Sequence, residues 1–367
     1  MSKDSKGQVF AFVGSYKDGD GAGIYAYRVD LATGKLDLAG RAPGIQPLYV
    51  AVHPAKDAIY GVHGEVKGRE VNIAGSRDGA VSAYALNGST GEMTYLNSQP
   101  SKGVSPCYVS VDATGKSALV ANYDSGSITA LPIGADRRLG APSDFVQHTG
   151  SSIDPKRQTH AYAHAMDLDP SNRFAIAADL GIDKLMVYAL DAGAGKLKPA
   201  GKPWAQTRAG SGPRHFAFHP KGKYMYVISE LNSSMTAYEF NSSDGGLKEI
   251  QTIATVPAGS AGANYCADVR VEPSGRFVYG SNRGHDSIVI YAIDQETGKL
   301  SLIGFQPSGG KTPRAFAIDP TGKYLLSANL ASDNVTTFRI GQATGKLEPT
   351  GHVVSVPSPG CITAAAL

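Results

Sequence analysis

Five polar side chains fall at equivalent places in a repeating chain, and together they could bind an anion and move a proton. With the repeats aligned on a turn proline, six residues back stand Leu48, Cys107, His164, Arg214, Ala267 and Arg314. Ten residues forward stand Gly64 (with Glu65 beside it), Tyr123, Leu180, Glu230, Arg283 and Leu330. Packing between repeats asks for small or apolar side chains at such places, and His164, Arg214, Glu230, Arg283 and Arg314 break that rule. A charge at a converging, buried position costs free energy unless it is paired or functional. Guanidinium groups match carboxylates and phosphates, and a His or Glu among them offers a general base. Arg214 and Glu230 can also pair simply to staple a repeat, and His164 can be a satisfied core histidine. Five exceptions in equivalent registers weigh against those readings taken jointly. His215 and His219 flank one strand; His219, like His53, precedes a proline, and both read as structural.

The elements that must position these residues are set by a recurring turn. It runs Thr33-Gly34-Lys35-Leu36, Thr90-Gly91-Glu92-Met93, Asp136-Arg137-Arg138-Leu139, Ala194-Gly195-Lys196-Leu197, Asp244-Gly245-Gly246-Leu247, Thr297-Gly298-Lys299-Leu300 and Thr344-Gly345-Lys346-Leu347. Successive copies end 57, 46, 58, 50, 53 and 47 residues apart, the size of a blade of four short strands. A second turn lies inside the repeat: Pro170-Ser171-Asn172-Arg173, Pro220-Lys221-Gly222-Lys223, Pro273-Ser274-Gly275-Arg276 and Pro320-Thr321-Gly322-Lys323, each between apolar-alternating runs. Proline starts such a turn with its fixed φ and glycine supplies a positive one. The unit therefore reads inner strand, Pro-x-Gly turn, second strand, loop, third strand, Thr-Gly-Lys turn, outer strand.

Seven copies predict an all-β, seven-bladed β-propeller with four antiparallel strands per blade. The ends complete the ring. VFAFVGS opens at a second strand, and SPGCITAAAL reads as an inner strand that stops. The C-terminal strand is thus expected to join the N-terminal blade and pair two sheet edges that would otherwise invite aggregation. Residues 1–8 are expected to be a flexible tail and 9–367 a single propeller domain. His164, Arg214, Glu230, Arg283 and Arg314 would then gather at one mouth of the central channel.

Composition narrows the function. Of 367 residues, 44 are glycine and 21 proline, as suits many turns. A net charge of +3 without a basic block argues against a nucleic-acid surface. No apolar run reaches the length that crosses a bilayer. Cys107, Cys266 and Cys361 do not form a disulfide framework, and MSKDSKGQVFAFVG lacks the apolar core of a signal peptide, so the expectation is a cytoplasmic protein with free thiols. His160 and His164 stand four apart in a loop rather than on a helix face, which gives metal binding little support. GDGAG at 19–23 lies between predicted strands and is no phosphate loop.

The segments SPCYVSVDATGKSALVANYDSGSITALPI, HAMDLDPSNRFAIAADLGIDKLMVYALD, GPRHFAFHPKGKYMYVISELNSSMTAYEF and SNRGHDSIVIYAID resemble the seven-bladed propeller lactonase family. That family includes bacterial 6-phosphogluconolactonases and fungal carboxy-muconate lactonizing enzymes. The resemblance runs from about Val9 to the C-terminus. Its most specific pieces are GPRHFAFHP, SNRGHDS and the Arg157-Gln158 pair. It implies a lactone site at the channel mouth, and the His, two Arg and Glu proposed for the muconate branch map onto His164, Arg214, Glu230 and Arg283. Where relatives commonly carry His-x-His before the inner strand, Tyr162 replaces the first histidine.

The resulting expectation is a carboxylic-ester hydrolase acting on a small anionic lactone without a cofactor. His164 or Glu230 would be the catalytic base, the histidine favoured by its pKa. Arg214, Arg283 and Arg314 would hold the anionic group and the tetrahedral oxyanion. Muconate cycloisomerisation by the same residues and a non-catalytic binding propeller are the rival readings.

Overall fold

A strand packed on both faces needs apolar side chains on both, and the second strand of each repeat has them. Val9–Ser15, Ala58–His63, Ser117–Asn122, Phe174–Asp179, Tyr224–Ser229 and Tyr324–Asn329 are buried throughout, and Phe277–Arg283 is buried except at its last residue. Outer strands such as Leu347–Ser355 are instead largely wet, alternating half-buried and exposed positions beyond Glu348 and Pro349, as a sheet with one wet face does. In the computed structural model the described residues are 7–17, 19–64 and 78–367. Residues 1–6 of the expected tail and Glu65 lie outside them. Gln8, also assigned to the tail, accepts the Leu367 N–H at 2.9 Å.

The described residues form seven four-stranded antiparallel sheets. Blade 1 is Pro359–Ala366, Val9–Ser15, Gly23–Val29 and Leu36–Pro43, so the C-terminal strand closes the ring as expected, in register from Val9 opposite Ala366 to Ser15 opposite Pro359. Blades 2 to 7 follow in chain order, with inner strands Tyr49–Val52, Pro106–Val111, Ala163–Leu168, Pro213–Phe218, Tyr265–Val271 and Pro313–Ile318.

Neighbouring blades are stapled by the recurring turns. Tyr60, Tyr226 and Tyr279 on second strands donate their hydroxyls to the carbonyls of Arg137, Gly298 and Gly345 in turns of the next blade around the ring, at 2.8–3.1 Å. A side chain on Gly298 or Gly345 would strike Tyr224 or Phe277 at 2.5 Å, and both glycines hold positive φ, so these turns need glycine twice over. In most Pro-x-Gly turns an acid before the proline caps the turn: Asp169 accepts the N–H groups of Ser171, Arg173 and Phe174. His53 and His219 take that place in blades 2 and 5. His219 Nδ1 accepts the Lys221 N–H at 3.1 Å and Nε2–H donates to the Gly275 carbonyl at 3.0 Å, which is the structural role the sequence predicts.

Candidate active site

The inner strands begin with an irregularity that decides which side chains reach the mouth. Pairing jumps from Pro106 to Tyr108, from Ala163 to Ala165, from Pro213 to His215 and from Pro313 to Ala315. The skipped residues are Cys107, His164, Arg214 and Arg314. A bulge leaves its extra residue unpaired and re-aims its side chain, so in blades 3, 4, 5 and 7 the repeat position singled out in the sequence is a one-residue bulge. In blade 1 the same place is Gly360, between Pro359 and Cys361.

Glu230, just past the second strand of blade 5, is the centre of the cluster. Its Oε2 accepts Arg214 Nε at 3.0 Å and Arg283 Nη2 at 2.6 Å, and its Oε1 accepts Arg157 Nη2 at 2.5 Å. Glu230 is 5% exposed and Arg214 1%, whereas the Arg157 side chain is 36% exposed. The cluster thus has a buried floor and an open rim. Arg157 also reaches Tyr123 Oη at 3.4 Å and lies over the Tyr265 ring. Burial pushes the Glu230 carboxyl up, but the charges of Arg283 and Arg214 and the Arg157 hydrogen bond outweigh it and hold the group down to about 2. Arg214 is drawn down to about 9 by burial and by the charges of Arg283 and Arg314.

His164 adjoins this cluster without bonding to it. Its ring lies edge-on to Tyr123 and to His215, with centroids 5.3 and 5.2 Å apart, and Nδ1 faces Cys107 Sγ at 3.8 Å. Nε2 has no protein partner among the described residues. Burial, then the Arg214 and His215 charges, hold its pKa well below the ordinary value, so the imidazole is neutral and can accept a proton. Burial drives the Cys107 thiol up to about 12, which leaves it unreactive at neutral pH. His160 points elsewhere, to the Asp124 carbonyl at 3.0 Å.

The five predicted residues are therefore not equivalent. Arg214, Glu230 and Arg283 are joined, and the Arg214–Glu230 staple that the sequence leaves open is present. Arg214 was expected to grip the substrate anion, but it donates to Glu230, to the Ala267 carbonyl and toward His215 Nε2, behind the carboxylate rather than in front of it. Arg314 stands apart: its Nε donates to Tyr16 Oη at 3.0 Å and its guanidinium lies over that ring. Tyr16 fills the space above Gly360, where a side chain would meet the ring at 2.2 Å. Tyr16 was missed because blade 1 carries no turn proline to align on. Arg157 sits in a loop outside the repeat register, so only the family resemblance pointed at it.

The "Lactonase, 7-bladed beta-propeller" family profile matches residues 10–364. The chain belongs to the seven-bladed β-propeller lactonase family. It is 35% identical over 306 residues to the 6-phosphogluconolactonase of Bacillus subtilis, covering 83% of each chain. Among solved structures, a Bacteroides fragilis protein proposed to be a 6-phosphogluconolactonase superposes with a TM-score of 0.90 at 31% identity over all of both chains. A periplasmic gluconolactonase of Pseudomonas aeruginosa superposes with a TM-score of 0.89 at 28% identity, over 98% of this chain and 100% of the other. As a family member the protein is a lactonase-type carboxylic-ester hydrolase. No helix among the described residues is long and apolar enough to cross a membrane.

Proposed function

We propose that this lactonase hydrolyses a sugar-acid lactone, 6-phosphogluconolactone or a related aldono- or uronolactone, at the mouth ringed by the bulge residues. The observation that carries the reading is the triply arginine-bound Glu230 beside a neutral His164. Both Glu230 oxygens already accept guanidinium donors, and a carboxylate held near 2 is a feeble base at pH 7. His164, neutral and with Nε2 unpartnered, is the better base.

In this scheme a water attacks the lactone carbonyl carbon while His164 Nε2 takes its proton. The tetrahedral oxyanion is met by the rim guanidinium group of Arg283, whose charge is most useful where water is scarce. The ring C–O bond then breaks, and the imidazolium returns its proton to the departing alkoxide, giving the open hydroxy acid. Arg314 with Arg157 takes the phosphate or carboxylate of the substrate. Arg214 fixes Glu230, and Glu230 in turn holds the rim arginines in place. The substrate class fits a role in sugar-acid metabolism.

The test is the rate of opening of 6-phosphogluconolactone by purified protein with the spontaneous rate subtracted, beside a panel of aldono- and uronolactones. Acceleration that is lost in the His164→Gln variant is expected. If no lactone of the panel opens faster than in buffer, the reading fails.

A further inference from the structure

The channel does not run through the ring. One step below the bulges, Tyr49, Tyr108, His215 and Asp268 meet at the axis, all under 9% exposed. The two tyrosine rings stack at 4.1 Å, and His215 sits edge-on to both at 5.1 and 5.8 Å. Asp268 locks the plug: it binds His215 Nδ1 at 3.0 Å and Arg270 Nη2 at 3.2 Å. Beyond the plug, toward the Pro-x-Gly turns, lies a second chamber of about 340 Å³ lined from blades 1, 2, 3, 4 and 6, within the lower range of small-ligand pockets, roughly 300–1,000 Å³.

The repeat alignment that marks the upper site also marks this one. Three residues before the turn proline stand Ala51, Ser110, Asp167, Ala217, Arg270 and Ala317. Four are small, which leaves the volume, and Asp167 and Arg270 are charged. The two come from different blades and make no ion pair with each other. Arg270 donates through Nη2 to Tyr49 Oη at 2.6 Å and to Asp268. Its Nε and Nη1 have no protein partner among the described residues, and the side chain is 28% exposed on the chamber wall. Asp167 accepts the Tyr108 hydroxyl at 3.2 Å and its neighbour's N–H, and it forms no salt bridge among the described residues.

We propose that this chamber binds a small carboxylic acid that carries a hydrogen-bond donor beside its carboxylate, with the carboxylate on Arg270 and the donor on Asp167. With Nη2 taken by Tyr49 and Asp268, the Nε–H and Nη1–H groups can each donate a single charge-assisted hydrogen bond to a carboxylate oxygen. A hydroxyl or ammonium next to it supplies what the acceptor-only Asp167 lacks. A phosphate dianion suits the chamber less, because Asp268 already compensates Arg270 and Asp167 adds a negative wall. The ligand class is therefore the hydroxy acids and amino acids. This site lies across the plug from the candidate active site and does not depend on the substrate proposed there.

Titration calorimetry on the full chain with D-gluconate, L-serine and inorganic phosphate tests it. Saturable heat is expected with at least one of the two acids and not with phosphate. Binding should weaken about tenfold or more in Arg270→Gln, the loss of a charged hydrogen-bonding partner. Because that change strips buried Asp268 of a partner and can unfold the ring, Ala51→Leu, which fills the chamber, and Asp167→Asn serve as second and third variants with the same expected loss. Arg283→Ala should leave binding unchanged. Absence of binding by both acids, binding intact in Ala51→Leu and Asp167→Asn, or binding abolished by Arg283→Ala would overturn the proposal. Lactone turnover plays no part in the readout, so this inference and the proposed activity fail separately.

Discussion

Arg214 Nε and Glu230 Oε2 meet at 3.0 Å with both residues almost wholly out of water. A pair this buried returns little net stability while intact, but removing one partner strands the other and costs roughly 3–5 kcal/mol. Glu230→Gln also removes the charge that Arg157 and Arg283 share and turns one of its acceptor oxygens into a donor facing a guanidinium. The expected outcome is a clear fall in melting temperature together with loss of lactone opening, read by thermal unfolding and by the corrected hydrolysis rate. Unchanged stability would show that water compensates the guanidinium groups.

The same carboxylate makes the fold acid-sensitive. Its folded pKa lies near 2 against 4.5 for the free group. Stability from this group is therefore complete above about pH 4.5 and is lost as pH falls toward 2, amounting to about 3 kcal/mol. His164 and His215 add to the trend from higher pH, because their folded pKa values are depressed and the unfolded chain takes up protons first as pH drops below the usual histidine range. Denaturant midpoints measured from pH 7 to pH 3 should decline throughout. In Glu230→Gln the part of the decline below about pH 4.5 should shrink.

A histidine that stays neutral well below its ordinary pKa keeps its base competence in mild acid. The pH profile of kcat/KM should therefore hold its plateau below pH 6 rather than bending near the usual histidine value of about 6.5. His164→Gln should lower kcat by about 10² to 10⁴, the range of general-base catalysis, with unfolding little affected. A bend at the ordinary histidine value would point to a solvent-exposed group as the base.

The architecture was legible because it repeats: turn chemistry at seven places and two incomplete ends fix both the blade count and the closure, without any packing detail. The upper site was legible in part for the same reason. A polar residue in a register that elsewhere holds Leu48, Ala267 or Leu180 stands out. What the register could not give was direction. Arg214 and Arg314 share one bulge position, yet one turns inward to Glu230 and the other toward Tyr16, because their neighbours differ across blades. Arg157 comes from a loop with no register, and the plug of Tyr49, Tyr108 and His215 is built of residue types that look like ordinary core in a linear sequence.

Differential loss among the arginines can assign their roles. If Arg314 and Arg157 take the anionic group, Arg314→Ala should raise KM for 6-phosphogluconolactone far more than for the unphosphorylated gluconolactone, with kcat on the latter nearly kept. Arg283→Ala, which removes a candidate oxyanion donor, should instead lower kcat on both, by roughly 10² or more. Arg157→Lys is not a mild change, because an ammonium cannot replace the planar group that bonds Glu230 and Tyr123 through Nη2 and lies over the Tyr265 ring. Equal effects of Arg314→Ala on the two lactones would remove Arg314 from the anion site.

Gly360 sets the reach of Arg314 through Tyr16. The glycine occupies the bulge place that carries a side chain in blades 3, 4, 5 and 7, and the Tyr16 ring lies where that side chain would begin. The Tyr16 hydroxyl donates to the Leu48 carbonyl at 3.2 Å and accepts from Arg314 at 3.0 Å, so the ring ties the closing blade to its neighbours on both sides. Gly360→Ala must displace the ring, an overpacking cost of about 1–3 kcal/mol, and should loosen Arg314 as well. Tyr16→Phe keeps the ring in place and removes only the hydroxyl, at a cost of about 1 kcal/mol. Gly360→Ala is therefore expected to lower the melting temperature and raise KM for the phosphorylated lactone, and Tyr16→Phe to raise that KM with a much smaller thermal shift. A Gly360→Ala variant of unchanged stability and unchanged KM would show that Tyr16 yields without taking Arg314 with it.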